Sequence, residues 1–245
     1  MPRFFVDKEA VSDTAVTITG PDARHIARAL RMAVGDEITV ADGTGLEHTV
    51  MLTRIRDEEC LGDITESKPS RSEPKSKITL YMAYPKGDKL EVVIQKAVEL
   101  GASRIVPFES SRCIKKPKAD KAEEKTARLT RIADEAAKQC GRGLLPTVSL
   151  PLSYNEMLSE ASGADLPIFC YEGEGAKSLK EILISCGKIP ESISVVVGSE
   201  GGFSPEEAAA AEAKGFKMAN LGPRILRCET APDYVLSSIS YQFEL

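Results

Sequence analysis

The chain has 245 residues, 42% of them hydrophobic and 28% charged, enough to bury one large core or two modest ones. No apolar run approaches the roughly 20 residues of a membrane span, and Met1-Pro2-Arg3-Phe4-Phe5-Val6-Asp7 meets charge too early for a signal peptide. The formal net charge of −5 hides a reversal: from Arg112 to Arg142 ten basic residues face five acidic ones, a local net of +5. Phosphate contacts depend on local patches, so this segment is either an RNA-contacting surface or a solvated helix face. The six cysteines form no C-x-x-C pair, and only His25 and His48 could join them, which argues for reduced thiols, a cytoplasmic protein and no metal.

From Arg3 to about Glu66 the pattern is mostly β. Val16–Thr19 reads as a strand ending at Gly20-Pro21, and Asp22 is placed to cap a helix over Ala23–Met32, stopped by Gly35. Glu37–Val40 and Glu47–Leu52 alternate around Asp42-Gly43-Thr44-Gly45, a hairpin signal, and another strand is predicted over Cys60–Thr65. Several short strands and one helix predict a small barrel-like module. Ser67–Lys77 is polar and Pro-bearing and reads as an interdomain linker.

Strand–helix alternation follows. Strands are predicted at Ile78–Ala83, Arg104–Phe108, Thr147–Leu150, Pro167–Tyr171 and Val195–Val197. Helices are predicted at Leu90–Leu100, Lys121–Cys140, Tyr154–Ala161 (capped by Ser153), Ser178–Ile184 and Pro232–Phe243. This rhythm predicts an α/β domain with a mostly parallel sheet covered on both faces.

The segment Val195–Thr230 carries the strongest chemical signal. Gly198-Ser199-Glu200-Gly201-Gly202-Phe203 precedes a helix start in which Ser204 is the N-cap, Pro205 the first helical residue and Glu207 the partner in a capping box. A helix start after a glycine loop can hold phosphate. Here Glu200, Glu206 and Glu207 crowd that end and favour a neutral or cationic ligand. Neither G-x-G-x-x-G nor G-x-x-x-x-G-K-[ST] spacing occurs, which disfavours dinucleotides and triphosphates. Alone, the loop is equally a tight β–α turn. The second half, Asn220-Leu221-Gly222-Pro223-Arg224-Ile225-Leu226-Arg227-Cys228-Glu229-Thr230, places two arginines beside another Gly/Pro break.

Together, Val-Gly-Ser-Glu-Gly-Gly-Phe-Ser and Leu-Gly-Pro-Arg-Ile-Leu-Arg-Cys-Glu-Thr-Ala resemble the paired C-terminal motifs of RsmE-type methyltransferases, members of the SPOUT (trefoil-knot) superfamily. Pro85–Lys89 with Ile94–Gly101 resembles the family's first strand–helix unit, and Arg131–Arg142 its basic helix. Arg3-Phe4-Phe5, His25–Arg31 and Val34-Gly35-Asp36 resemble its PUA-like RNA-binding module. The chain departs from the pattern at Ser199, where Pro is usual, at Cys228, where Thr is common, and at Asp233-Tyr234.

The resemblance implies an N-terminal PUA-like β-barrel module (1–70), a linker (71–77) and a SPOUT α/β domain with a C-terminal trefoil knot (78–245). It implies methylation of N3 of a uridine in small-subunit (16S) ribosomal RNA, within an assembled or nearly assembled 30S subunit, by a cytoplasmic homodimer. S-adenosylmethionine would be held by Tyr171, Glu172, Gly198, Ser199, Glu200, Gly201, Gly202, Leu221, Gly222, Ile225 and Leu226. Arg227 and then Arg224 are the expected stabilisers of an imide anion, with Glu200 or Glu229 as proton acceptor. Arg3, Arg24, Arg28, Arg31, Arg112, Lys115, Lys116 and Lys118 would grip phosphates. The alternative is a non-catalytic RNA-binding or ribosome-assembly factor that keeps the same fold.

Overall fold

The computed structural model describes residues 1–114 and 119–245, so Lys115, Lys116 and Lys118 lie outside the described residues. The chain divides into two compact units, Met1–Glu73 with Ala137–Leu145, and Pro74–Ala136 with Pro146–Leu245.

In the first unit, strands β1 (Arg3–Phe5), β2 (Ala15–Thr19), β3 (Glu37–Ala41), β4 (Leu46–Ile55) and β5 (Glu59–Pro69) form one sheet in the order β1-β3-β4-β5-β2. The β3–β4 hairpin pairs Val40 with His48 in antiparallel register, whereas β1 runs parallel to β3. Alternation along β2 and β4 sends Val16, Ile18, Val50 and Leu52 into a core shared with Phe4, Ile26, Ile38 and Cys60. The predicted barrel is not closed: β1 and β2 are the two sheet edges, and no ladder joins them.

Two further expectations change. The helix begins at Gly20 (α1, Gly20–Arg24), because Pro21 sits in its first turn, and Asp22 lies inside it instead of capping it. It continues as a π-turn over His25–Ala29, in which the Leu30 N–H reaches the His25 carbonyl at 2.9 Å. The Ser67–Lys77 stretch also begins as strand. β5 runs on to Pro69, pairing Ser67 with His48 and Pro69 with Leu46. Residues 137–145 belong with this unit, where the buried Arg142 guanidinium donates to both oxygens of Glu73, at 2.9 and 2.7 Å.

The second unit is built on a wholly parallel sheet. Its strands are β6 (Lys77–Ala83), β7 (Arg104–Glu109), β8 (Thr147–Val148), β9 (Leu152–Ser153), β10 (Leu166–Cys170), β11 (Lys177–Ser178), β12 (Ser192–Val197) and β13 (Lys217–Asn220). They lie in the order β11-β13-β10-β12-β6-β7-β8, with β9 also beside β7. The helices are α2 (Lys89–Glu99), α3 (Ala122–Cys140), α4 (Tyr154–Ala161), α5 (Leu179–Ile184), α6 (Pro205–Ala213) and α7 (Thr230–Phe243). Central strands are rich in apolar residues because both faces are covered; Ile193 to Val197 are all buried, including Ser194, whose hydroxyl donates to the Ala161 carbonyl at 2.7 Å. The predicted strand at Thr147–Leu150 shortens to two residues before Pro151. Capping boxes at Ser153, Ser178 and Ser204 start α4, α5 and α6. Among the described residues, no helix is long and apolar enough to cross a membrane.

The strand order places the site. The sheet grows from β6 through β7 to β8 on one side, while β12, β10 and β13 line up on the other. Because all four are parallel, the loops after β6, β10, β12 and β13 leave the same sheet end side by side, where α/β proteins bind ligands.

Candidate functional site

At that end lies a cavity of about 630 Å³. Its walls are Cys170–Gly173 after β10, Val197–Phe203 after β12, Leu221 and Ile225–Cys228 after β13, and Lys89 and Arg112. Such a volume suits a nucleoside-sized molecule. Two segments far apart in the chain thus meet in one pocket.

The glycine loop is held from both ends. Phe203 packs its ring 4.2 Å from that of Phe169 and stacks on Phe108 at 6.3 Å, anchoring the loop to the sheet. The Gly202 N–H closes onto the Ser199 carbonyl at 2.9 Å. Glycine is favoured at 198, where a Cβ would stand 3.1 Å from the Gly202 Cα. Gly202 itself has φ 63°, a left-handed conformation that side chains disfavour. Arg112 donates to the Gly201 carbonyl at 3.1 Å from outside.

Of the acids expected at the helix start, Glu207 is not a ligand group. It is buried, its Oε2 accepts from Ser204 N–H at 2.9 Å, and its Oε1 accepts from Ser111 N–H at 2.7 Å. Glu200 faces the cavity wall, where Oε1 accepts the Lys86 N–H at 3.1 Å and the Lys89 ammonium at 3.0 Å. The same ammonium sits 3.1 Å from Glu229 Oε2 and 3.8 Å from the Cys228 sulfur. Burial pushes the Glu200 carboxyl upward, but its own backbone N–H, Lys89 and Lys86 outweigh that and hold it below the usual range. Its own backbone N–H does the same for Glu229, with Cys228 and Lys89 adding to the effect. Lys89 is raised in turn by Glu200 and Glu229. Burial and the neighbouring carboxylates push the Cys228 thiol up to about 12, and burial does the same to Cys170, so both are neutral apolar wall.

Of the cofactor residues expected from sequence, Tyr171, Glu172, Gly198, Ser199, Glu200, Gly201, Gly202, Leu221, Ile225 and Leu226 line the cavity; Gly222 does not. Gly222 instead turns the chain, with φ 111° and its N–H on Asn220 Oδ1 at 2.7 Å. Arg227 lines the cavity and is exposed, whereas the exposed Arg224 lies outside it. Among the described residues neither arginine has an ion-pair partner. Ile225 is 86% exposed at the cavity edge. Lys89 is a pocket residue that sequence reasoning did not assign, although its place in the Pro85–Lys89 motif was a signal, and Arg112, expected on the RNA-contacting surface, also lines the cavity. Among the described residues, no three His, Cys, Asp or Glu side chains cluster as a metal site.

The expected phosphate-binding residues divide. Arg24 and Arg31 are exposed, Arg31 with φ 52°. Arg28 is exposed but paired with Asp57. Arg3 is turned inward: its Nη2 donates to Glu47 at 3.0 Å and to the Arg142 carbonyl at 2.6 Å. Arg142 itself is buried on Glu73, and Arg128 and Lys138 pair with Glu91 and Asp22, so the +5 segment is less basic at its surface than in sequence.

The fold and pocket are those of an RNA methyltransferase: the RNA methyltransferase domain family matches residues 71–240, and the RNA methyltransferase PUA domain family matches residues 18–65. The ribosomal RNA small subunit methyltransferase E of Bacillus subtilis is 35% identical over 100% of this chain and 98% of its own length. That of Synechocystis is 32% identical over 99% of this chain and 78% of its own. The crystal structure of the Neisseria gonorrhoeae ribosomal RNA small subunit methyltransferase E bound to S-adenosyl methionine superposes with a TM-score of 0.82 at 31% identity, covering 98% of this chain and 97% of that one. The chain belongs to the ribosomal RNA small subunit methyltransferase E family.

Proposed function

We propose that the protein methylates N3 of a uridine in small-subunit (16S) ribosomal RNA with S-adenosylmethionine as donor. The observation that carries this reading is the cavity itself. It joins close-approach glycines (Gly198, Gly201), apolar covers (Leu221, Ile225, Leu226) and a carboxylate wall (Glu172, Glu200), and its lysine, Lys89, is tied up by Glu200 and Glu229 instead of standing free in a phosphate-loop spacing. That set fits a nucleoside that carries a positive charge and no phosphate. The names of its relatives, and the cofactor in the Neisseria structure, support the same reading.

In this reading Leu221, Ile225 and Leu226 cover the adenine, and backbone groups of Tyr171–Glu172 and Gly198–Gly202 hold its edge. The bound cofactor supplies an electrophilic methyl group on a sulfonium. The protein's own work is to hold the uridine in line and to stabilise N3 as an imide anion. Arg227, a cation on the cavity edge with no partner among the described residues, does the second. Glu200 and Glu229, tied to Lys89 and held below their ordinary range, are weak bases, so in this reading neither is the general base and the N3 proton is lost to solvent hydroxide in a pre-equilibrium before methyl transfer. Arg224, outside the cavity, contacts RNA instead of the reacting atoms, together with Arg24, Arg31 and the Arg112–Lys118 stretch.

The three pocket loops form a trefoil knot in this reading, and α7 pairs two copies into a homodimer through a face that includes Tyr234 and Tyr241. The substrate is an assembled or nearly assembled 30S subunit in the cytoplasm. Mass spectrometry of small-subunit ribosomal RNA from cells with and without the gene tests the proposal. One N3-methyluridine should disappear with the gene. Binding of S-adenosylmethionine with no methyluridine lost would overturn the substrate assignment and leave the cofactor standing; failure to bind S-adenosylmethionine would favour the non-catalytic RNA-binding factor.

A further inference from the structure

Lys89 is the first residue of α2, and its ammonium is shared by carboxylates that arrive from two different pocket loops, Glu200 at 3.0 Å and Glu229 at 3.1 Å. Two carboxylates on one cation lie within a few ångströms of each other. Without that cation they repel, and one of them takes up a proton nearer neutrality. With it, the cluster holds a single net negative charge beside the cavity. Lys86 N–H adds a second grip on Glu200 at 3.1 Å, so the Pro85–Lys89 turn clamps the glycine loop, while Glu229 at the N-cap of α7 clamps the arginine loop.

We propose that Lys89 is a positioning residue that sets the charge of this wall: it keeps both carboxylates ionised and in place, so that selection of the sulfonium cofactor over its neutral thioether product does not vary with pH. The proposal rests on the cofactor reading given above. Other charged or titratable groups face the cluster or the cavity. Cys228 lies next to Lys89, while Arg112, Arg227, Glu172 and Tyr171 line the cavity. On the same helix the Lys96–Asp233 pair, at 2.9 Å, faces α7. All are shared by wild type and a Lys89 variant, so the difference between the two isolates Lys89.

The experiment is calorimetric and needs no turnover. Dissociation constants for S-adenosylmethionine and S-adenosylhomocysteine are measured from pH 5.5 to 8 for wild type, Lys89→Gln and Lys89→Arg. The amino and carboxylate groups common to both ligands cancel in the ratio of the two constants, which leaves the sulfonium charge. In wild type the ratio should be flat. In Lys89→Gln preference for the sulfonium should rise by about fivefold as the shared proton leaves the carboxylate pair, and Lys89→Arg should restore a flat ratio. Equal weakening of both ligands at every pH in Lys89→Gln would overturn the proposal, since a purely structural clamp does that. Should Lys89→Gln not fold, Glu200→Gln, which removes one of the two carboxylates, serves in its place. Its ratio should be flat, with a weaker sulfonium preference than wild type, and an unchanged preference would overturn the proposal. Failure of wild type to bind S-adenosylmethionine at all would overturn the cofactor reading as well, and so is distinguishable from a failure of Lys89 alone.

Discussion

The Glu207 carboxylate reaches from the first turn of α6 to the backbone N–H of Ser111, 2.7 Å away on the segment after β7. Its other oxygen closes the capping box on Ser204 N–H at 2.9 Å, and the residue is buried. One side chain therefore satisfies two donors from different loops, and removing it strands both. Glu207→Ala should destabilise the protein by about 1–3 kcal/mol. Glu207→Gln should fall between, because its amide keeps one acceptor but turns a donor toward the other N–H. Thermal unfolding checks the order wild type, Gln, Ala.

A methyl group at residue 198 fits only if its neighbours give way by a few tenths of an ångström. A Cβ on residue 198 would meet Gly202 Cα at 3.1 Å and the Phe203 ring at 3.2 Å, and both neighbours are pinned, Gly202 by Ser199 and Phe203 by Phe169. Gly198→Ala should shift the loop and weaken S-adenosylmethionine binding by about tenfold or more. Calorimetry reads this directly; unchanged affinity would remove the loop from the site.

Arg227 and Glu200 should separate in kinetics. Arg227 is exposed on the cavity edge, and its side chain has no hydrogen-bond or ion-pair partner among the described residues, so Arg227→Ala, which keeps the backbone carbonyl that accepts from Thr230 and Ala231, should lower turnover by about 10²–10³. Cofactor affinity should stay within about threefold of wild type. Single-turnover methylation of small subunits, set beside calorimetry on the same preparation, provides both numbers. Loss of cofactor binding without a separate loss of turnover would refute the role.

How much of this was legible follows from how local each signal is. The capping box at Ser204, the helix starts at Ser153 and Ser178 and the Asp42–Gly45 hairpin rest on spacing within a few residues, the parallel sheet on the strand–helix rhythm, and all are present in the structure. The carboxylates after Gly198 indicated a cationic ligand, but sequence could not divide them: Glu207 is spent on two backbone donors and Glu200 on Lys89. The role of Lys89 was illegible because its partners, Glu200 and Glu229, lie more than a hundred residues away and meet it only through strand order. Arg3 and Arg142 read as surface cations for the same reason. Their acidic and carbonyl partners, Glu47 and Glu73 among them, come from distant segments and turn them inward. The barrel expectation holds only in part, as a curled half-barrel sheet, because strand count alone does not say whether the edge strands meet.

The Glu73–Arg142 pair should govern acid stability of the N-terminal unit. Burial pushes the Glu73 carboxyl upward, yet the Arg142 guanidinium and the N–H groups of Leu144 and Gly143 more than reverse this and hold it below its ordinary value. A carboxyl depressed in the folded state stabilises fully above its unfolded pKa of about 4.3, and that contribution is lost as pH falls through the lower folded value. Glu73→Gln should therefore cost about 3 kcal/mol at pH 7, where it leaves the buried Arg142 cation without its counter-charge. The gap between variant and wild type should then narrow as pH drops below about 4, where the unfolded carboxyl takes up its proton, and close once pH has passed the lower folded value. Urea denaturation at pH 7, 5 and 3 measures the convergence, and a gap that stays constant down to pH 3 would show that the pair's charge contributes nothing.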